Sequence, residues 1–204
     1  MKNLKNLIYT IDQLLVTLPF NFLKFIAYYD VHVINNEFKL ENEKKYLVVA
    51  NHIAKKDPFI ITAFMPIKER RQLSPFKFLT YDKYFDKLLM RNFLYFCGCF
   101  STSKERNNGE KPMNLATKYL NSGQSVFIFP EGKRNPEKVK YPNTLGVGAI
   151  YLEKNNPDLY LVPVKIEYPE KRKIRITYKK PFRHKSFPNN LKPLAEDLMD
   201  RIYE

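Results

Sequence analysis

At 204 residues, 44% of them hydrophobic, the chain has the length for one domain with a sizeable core and too little for two. Thirty-five Lys and Arg against 21 Asp and Glu leave a formal charge of +14 and a pI near 9.6, which favours anionic partners: nucleic acid, an anionic membrane surface or phosphorylated substrates. An A/T-rich coding bias toward Lys, Asn, Ile and Tyr would give the same charge, so composition alone does not choose among them.

In chain order, residues 4–29 are rich in Leu, Ile, Phe and Tyr, yet they carry Lys5, Asp12, Gln13, Asn21 and Lys24 and are divided by Pro19. No run of about 20 uninterrupted apolar residues occurs, and the small-residue cleavage site of a signal peptide is missing. Two short amphipathic helices fit the pattern, lying in a membrane interface or covering the core. The one domain boundary falls near Tyr29, giving an N-terminal amphipathic segment at 1–29 and a main domain at 30–204.

Val31-His32-Val33-Ile34-Asn35 predicts a short strand, and Tyr46-Leu47-Val48-Val49-Ala50 predicts a buried one that ends just before Asn51 and His52. Residues 59–65 predict a short apolar helix, Lys68-Glu69-Arg70-Arg71 a charged loop, and residues 76–80 another strand. A helical segment then runs through Phe93, with Phe85, Leu88, Leu89 and Phe93 as its core stripe, and residues 94–100 return to strand. Pro112 sits at a favoured first helical position and Gly123 ends that helix. Residues 126–129 form a strand, Asn143 caps a helix to about Lys154, two strands follow at 159–168 and 173–178, and a last amphipathic helix covers 191–202. Strands alternating with helices at this spacing predict an α/β domain with a central, mostly parallel sheet flanked by helices. Cys97 and Cys99, one residue apart, suit neither a usual disulfide nor a closed zinc site. They read as buried reduced thiols of a cytosolic protein, and with His32 and His184 remote in sequence no metal is expected.

Three polar clusters fall at strand exits, where ligands of such sheets gather. His52 and Asp57 would lie roughly 140° apart on a continuous helix, so they meet only if the chain bends. Pro58 favours that bend by keeping Asp57 out of the α region. A carboxylate against an imidazole gives a base of fixed tautomer, the logic of a Ser-His-Asp triad whose hydroxyl is brought by the substrate. The plainer reading makes Asp57 a helix cap. At the second exit stand Ser101, Thr102, Ser103 and Lys104. At the third, Gly132 lets the backbone approach a ligand, Lys133 and Arg134 offer a point charge and a bidentate fork suited to phosphate, and Glu131 could hold the arginine or a substrate hydroxyl.

Together these clusters resemble the glycerolipid acyltransferase family. Asn51-His52 through Asp57 is similar to its Asn-His-x4-Asp block, Phe129-Pro130-Glu131-Gly132-Lys133-Arg134 to its Phe-Pro-Glu-Gly-Thr-Arg block, and Val162-Pro163-Val164 to its late Val-Pro-Val strand, across roughly residues 31–180. The resemblance implies transfer of a fatty acyl chain from acyl-CoA or acyl-carrier protein, as co-substrate rather than cofactor, to the free hydroxyl of a lysophospholipid, 1-acylglycerol 3-phosphate first among them. His52 would be the general base and Asp57 its partner. Glu131, Gly132, Lys133, Arg134 and Lys104 would bind the substrate phosphate, and Val162 with Pro163 would shape the acyl or acceptor site. Two positions depart from the pattern: Lys133 replaces the usual threonine, and Lys104 replaces an arginine, exchanging a fork for a point charge. Lys83 lies near a position that is often basic.

A lipid substrate tips the N-terminal segment toward the membrane interface, at the cytoplasmic face, where a basic protein meets anionic lipid. Three alternatives stay open: another lipid hydroxyl such as that of glycerol 3-phosphate, a basic nucleic-acid-binding module without activity, and a weak or inactive family member that binds lipid, prompted by the altered second block. Against the second, the aromatic residues fall in apolar runs and no basic-aromatic interleaving occurs.

Overall fold

The computed structural model of the protein describes residues 11, 29–42 and 44–204. The expected N-terminal amphipathic helices fall on residues that, apart from Ile11 and Tyr29, lie outside these. Among the described residues seven strands form one sheet: β1 (Asp30–Asn36), β2 (Lys45–Ala50), β3 (Phe76–Thr80), β4 (Cys99–Ser101), β5 (Ser125–Ile128), β6 (Leu159–Glu167) and β7 (Lys173–Lys179), in the order β1-β7-β6-β2-β5-β3-β4. Every neighbouring pair is parallel except β6 and β7. The helices of the described residues are α1 (Asp57–Ala63), α2 (Ile67–Leu73), α3 (Leu88–Phe96), α4 (Pro112–Asn121), α5 (Gly148–Asn155) and α6 (Lys192–Tyr203), with a 3-10 turn at Asp82–Phe85 before α3.

The two-residue period of the strands sorts their side chains onto two cores. Val48, Phe127, Val162 and Val164 face Ile60 and Ile61 of α1, Leu73 of α2 and Leu94 of α3. Leu47, Val49, Val126, Ile128 and Leu161 face Ala116 and Leu120 of α4, Ile150 and Leu152 of α5, and Leu198 and Ile202 of α6. The expected α/β architecture, a mostly parallel sheet with helices on both faces, is therefore present. Pro163, inside a central strand, falls in the gap between the Leu161–Phe182 bridge and the start of the β7 ladder at Val164, so its missing N–H takes no ladder bond.

Four local expectations are corrected. Residues 68–71 are helical, not loop, because straight-chain charged residues favour helix and Pro66 and the extended Ser74 bound the turns of α2. Residues 94–100 are not one strand: α3 continues to Phe96, the chain turns at Gly98 with φ +83, and only Cys99–Ser101 pairs with β3. The helix expected from Asn143 starts at Gly148, since residues 142–146 form a turn pinned to the β5 exit by the Gly146 N–H on the Pro130 carbonyl at 2.8 Å. Finally, of the stripe assigned to the core, Phe85 is fully buried but Leu88, Leu89 and Phe93 are exposed.

Candidate active site

The exits of β6, β2 and β5 lie side by side, and the site is built across them. Asn51, the first residue past β2, is buried, and its amide both donates to the Ile166 carbonyl (2.9 Å) and accepts from the Ile166 N–H (2.7 Å). The side chain thus imitates a strand residue and ties the backbone before His52 to β6.

The chain then turns through residues 54–57, with the Asp57 N–H returning to the Ala54 carbonyl at 3.1 Å. Asp57 is itself the first helical residue, so Pro58 does not keep it out of the α region as expected but sits in the first turn, where its missing N–H costs nothing. His52 Nδ1 and Asp57 Oδ2 come to 3.1 Å. Asp57 is not a helix cap; it opens α1, is fully buried, and its Oδ2 also accepts the N–H groups of Ile53 and Ala54, both at 2.7 Å. Its other oxygen accepts the hydroxyl of Tyr168, just past β6, at 2.5 Å. Burial first, and then Asp57 itself, push the Tyr168 phenol well up, so it stays a donor. The His52 ring stacks on Phe129 at 4.0 Å between centroids. With its plane set by Phe129 and Nδ1 committed to Asp57, Nε2 is the nitrogen left to take a proton.

Glu131 joins the same set. It is fully buried, accepts the His52 N–H at 3.3 Å and accepts the hydroxyl of Tyr203, from α6, at 3.0 Å. Burial pushes its carboxyl up to about 7, against the pull of hydrogen bonds from Tyr203, His52 and Asn135. The next residue must be glycine: Gly132 has φ +71, and a Cβ there would stand 2.7 Å from the Thr144 carbonyl oxygen. Asn135 then donates its N–H to the His52 carbonyl at 2.6 Å and clasps Val139 through its side chain, so the loop grips His52 from both sides of its peptide unit.

His52, Asp57, Glu131 and Gly132 are therefore brought together, with Lys133 and Arg134 exposed on the same loop. Val162 and Pro163 are buried in β6, opposite Val48 and Val49. Lys104 is exposed beside Glu105 past the edge strand β4, which lies two strands beyond β5, a spacing of roughly 10 Å across the sheet. Lys83 is exposed in the 3-10 turn.

A family model described as Acyltransferase matches residues 30–167. The chain belongs to the Acyltransferase family. This acyltransferase is also similar in fold to the crystal structure of the 1-acyl-sn-glycerophosphate (LPA) acyltransferase PlsC from Thermotoga maritima, with a TM-score of 0.57 at 14% identity over 100% of this chain and 98% of that one. A comparison with curated proteins finds no match. Burial pushes the acyltransferase's Cys99 thiol up to about 11 and Cys97 to about 12, so neither is poised as a thiolate nucleophile. Among the described residues no helix is long and apolar enough to cross a membrane. Sequence reasoning missed Tyr168, Tyr203 and Asn135. A signal existed for Tyr168, a polar group at a strand exit, and for Asn135, one residue past the Glu-Gly-Lys-Arg run. None existed for Tyr203, which arrives from the far end of the chain.

Proposed function

We propose that this acyltransferase moves a fatty acyl chain from the thioester of coenzyme A or acyl-carrier protein to the free hydroxyl of a lysophospholipid, 1-acylglycerol 3-phosphate giving phosphatidic acid. The observation that carries the reading is the His52 Nδ1 to Asp57 Oδ2 contact at 3.1 Å, on a carboxylate that three further donors hold in place. The acceptor hydroxyl oxygen attacks the thioester carbonyl carbon while its proton passes to His52 Nε2. The C–S bond then breaks, and the proton on His52 goes to the departing sulfur. Asp57 holds the ring and stabilises the imidazolium between these steps. Transfer is direct, without an acyl-enzyme, because the oriented hydroxyl is itself the nucleophile.

Lys133 and Arg134 take the acceptor's phosphate, on a loop that Glu131 anchors inward and Gly132 allows to turn. Lys104 adds charge from the periphery, and Val162 with Pro163 set the sheet floor beneath the acyl or acceptor site. The enzyme works peripherally at the cytoplasmic face of a membrane, needs no cofactor or metal beyond its acyl donor, and does not act on nucleic acid. The test is a panel of acyl-CoA and acyl-carrier-protein donors against lysophosphatidic acid, glycerol 3-phosphate and a neutral lysolipid, read by mass spectrometry. Phosphatidic acid should dominate, and His52→Ala should remove it. Near-normal turnover by His52→Ala would overturn the mechanism; product only from glycerol 3-phosphate would move the acceptor.

A further inference from the structure

The stripe that sequence periodicity assigned to the core belongs to the most apolar part of the described surface. Of the sixteen large hydrophobic residues exposed among the described residues, eight lie within residues 81–96: Tyr81, Tyr84, Leu88, Leu89, Met90, Phe93, Tyr95 and Phe96. Leu89 is 86% exposed, and in α3 only Leu94 is buried. At 100° per residue, the exposed apolar positions of α3 span an arc of roughly 220°, interrupted by Asn92. A helix that packs on a protein partner needs an apolar stripe of about 100°. An arc twice that width suits immersion in a medium that surrounds the helix.

The surroundings specify the medium. Tyr81 and Tyr84 carry a hydroxyl on an apolar ring, the type of side chain that settles at the headgroup level. Lys83, between the two tyrosines, and Lys87, just before the helix, are exposed. The carboxylates on either side of them are shared with Arg106, which engages both Asp82 (2.8 Å) and Asp86, so the three cations Lys83, Lys87 and Arg106 exceed the two acids by one charge. Arg106 also donates to the Phe85 carbonyl, so the turn that presents these groups is held in one conformation. The surface adjoins the site as well: the Phe93 ring stands 6.5 Å from that of Phe59, two residues past Asp57.

We propose that Tyr81, Tyr84 and the exposed arc of α3 form a bilayer-docking face that seats this protein in the interface of an anionic membrane beside His52 and Asp57. Apolar side chains enter the acyl boundary, Lys83 and Lys87 meet lipid phosphates, and a lipid acceptor passes from the bilayer to His52 along Phe93 and Phe59. The inference rests on the lipid-acyltransferase reading for its purpose, but its test is separate.

The experiment compares the full chain with Leu88→Ser/Leu89→Ser, two substitutions at exposed positions, in flotation with phosphatidylglycerol–phosphatidylcholine vesicles. Melting, oligomeric state and acyl transfer are measured on the same samples. Vesicle affinity should fall by about tenfold or more, with melting unchanged. Transfer to vesicle-borne acceptor should fall in step, while transfer to a water-soluble short-chain acceptor is kept. Binding within about twofold of the parent would overturn the proposal. So would a parent dimer that the variant converts to monomer, which makes the face an interface between copies. A lower melting temperature would overturn it too, since the face would then be covered by the protein's own chain. Loss of vesicle binding by a protein that transfers no acyl group to any acceptor would leave the docking face standing and sink the proposed function.

Discussion

All three histidines of this chain touch carboxylates; His32 does so on the open surface, with Nε2 3.1 Å from Asp30, and the surroundings of the other two assign them opposite work. His52 lies at a strand exit with Nδ1 on Asp57 and a side chain 17% exposed. His184, 8% exposed, has Nδ1 on Glu153 at 2.7 Å and Nε2 on Asp197 at 3.1 Å, while its own N–H bonds Glu153 at 2.6 Å. Burial pulls the His184 imidazole down, but hydrogen bonds and charge from Glu153 and Asp197 outweigh it and hold the group above its ordinary value. An imidazole with both nitrogens engaged cannot take a proton from a substrate; it is a cationic clamp joining α5, α6 and the chain after β7. One with a nitrogen to spare can. Proximity to an acid, which exposed His32 also has, therefore does not separate the proposed base from the clamp; the uncommitted nitrogen of His52, at a strand exit among buried partners, does.

The sharpest way to break the comparison is at the acid of the first site. Asp57→Asn should lower turnover by about three to four orders of magnitude, since the amide cannot stabilise the imidazolium; steady-state kinetics showing a loss under about tenfold would place His52 with His184 as a structural residue. Second in size, His184→Ala should cost about 3–5 kcal/mol of stability by leaving buried Glu153 uncompensated, with turnover per folded molecule kept. Denaturant unfolding alongside an activity assay reads both, and a stable but inactive variant would reverse the assignment.

Smaller effects appear in the pH dependence of stability. A histidine raised in the folded state contributes fully below its unfolded value of 6.5 and loses that contribution as pH rises through its folded value. His184→Ala should therefore flatten the stability curve above 6.5. Glu131, raised from 4.5 to about 7, keeps its proton in the fold where the unfolded chain has released it. Its contribution is largest at low pH and falls across 4.5 to about 7, so Glu131→Gln should flatten that lower window alone. Urea titrations at half-unit pH steps separate the two. Smallest is Arg134→Ala, which should raise KM for a phosphate-bearing acceptor roughly tenfold with less change in kcat. An equal rise for a neutral acceptor would remove phosphate from its role.

The fold was legible wherever a local period met a buried face. Residues 46–50, 126–128 and 159–166 read as strands because they are buried on both sides, and Gly123 and Pro112 marked their helix as backbone constraints do. Periodicity failed at Leu88, Leu89 and Phe93, because spacing states that a helix is apolar and not what it faces. Asn143 failed as a cap because the Gly146–Pro130 hydrogen bond, a tertiary contact, claimed the turn first. At the site, the pairing of His52 with Asp57 was readable, being short-range, whereas Gly132 was read as a close approach to a ligand and what its backbone approaches is the Thr144 carbonyl, twelve residues on.

By itself, the sequence determined the α/β alternation, the bend that lets an acid reach an imidazole five residues away, and the clustering of polar groups at strand exits. Those depend on dihedral preferences and neighbours within a turn or two. Only the tertiary structure decided that Tyr168 completes the Asp57 carboxylate from 111 residues away and Tyr203 the Glu131 carboxyl from 72. It also decided which of His52 and His184 keeps a nitrogen for chemistry and which apolar helix is left to the surroundings. Hydrogen bonds and burial between distant segments have no local period, so nothing short of the packed chain could set them.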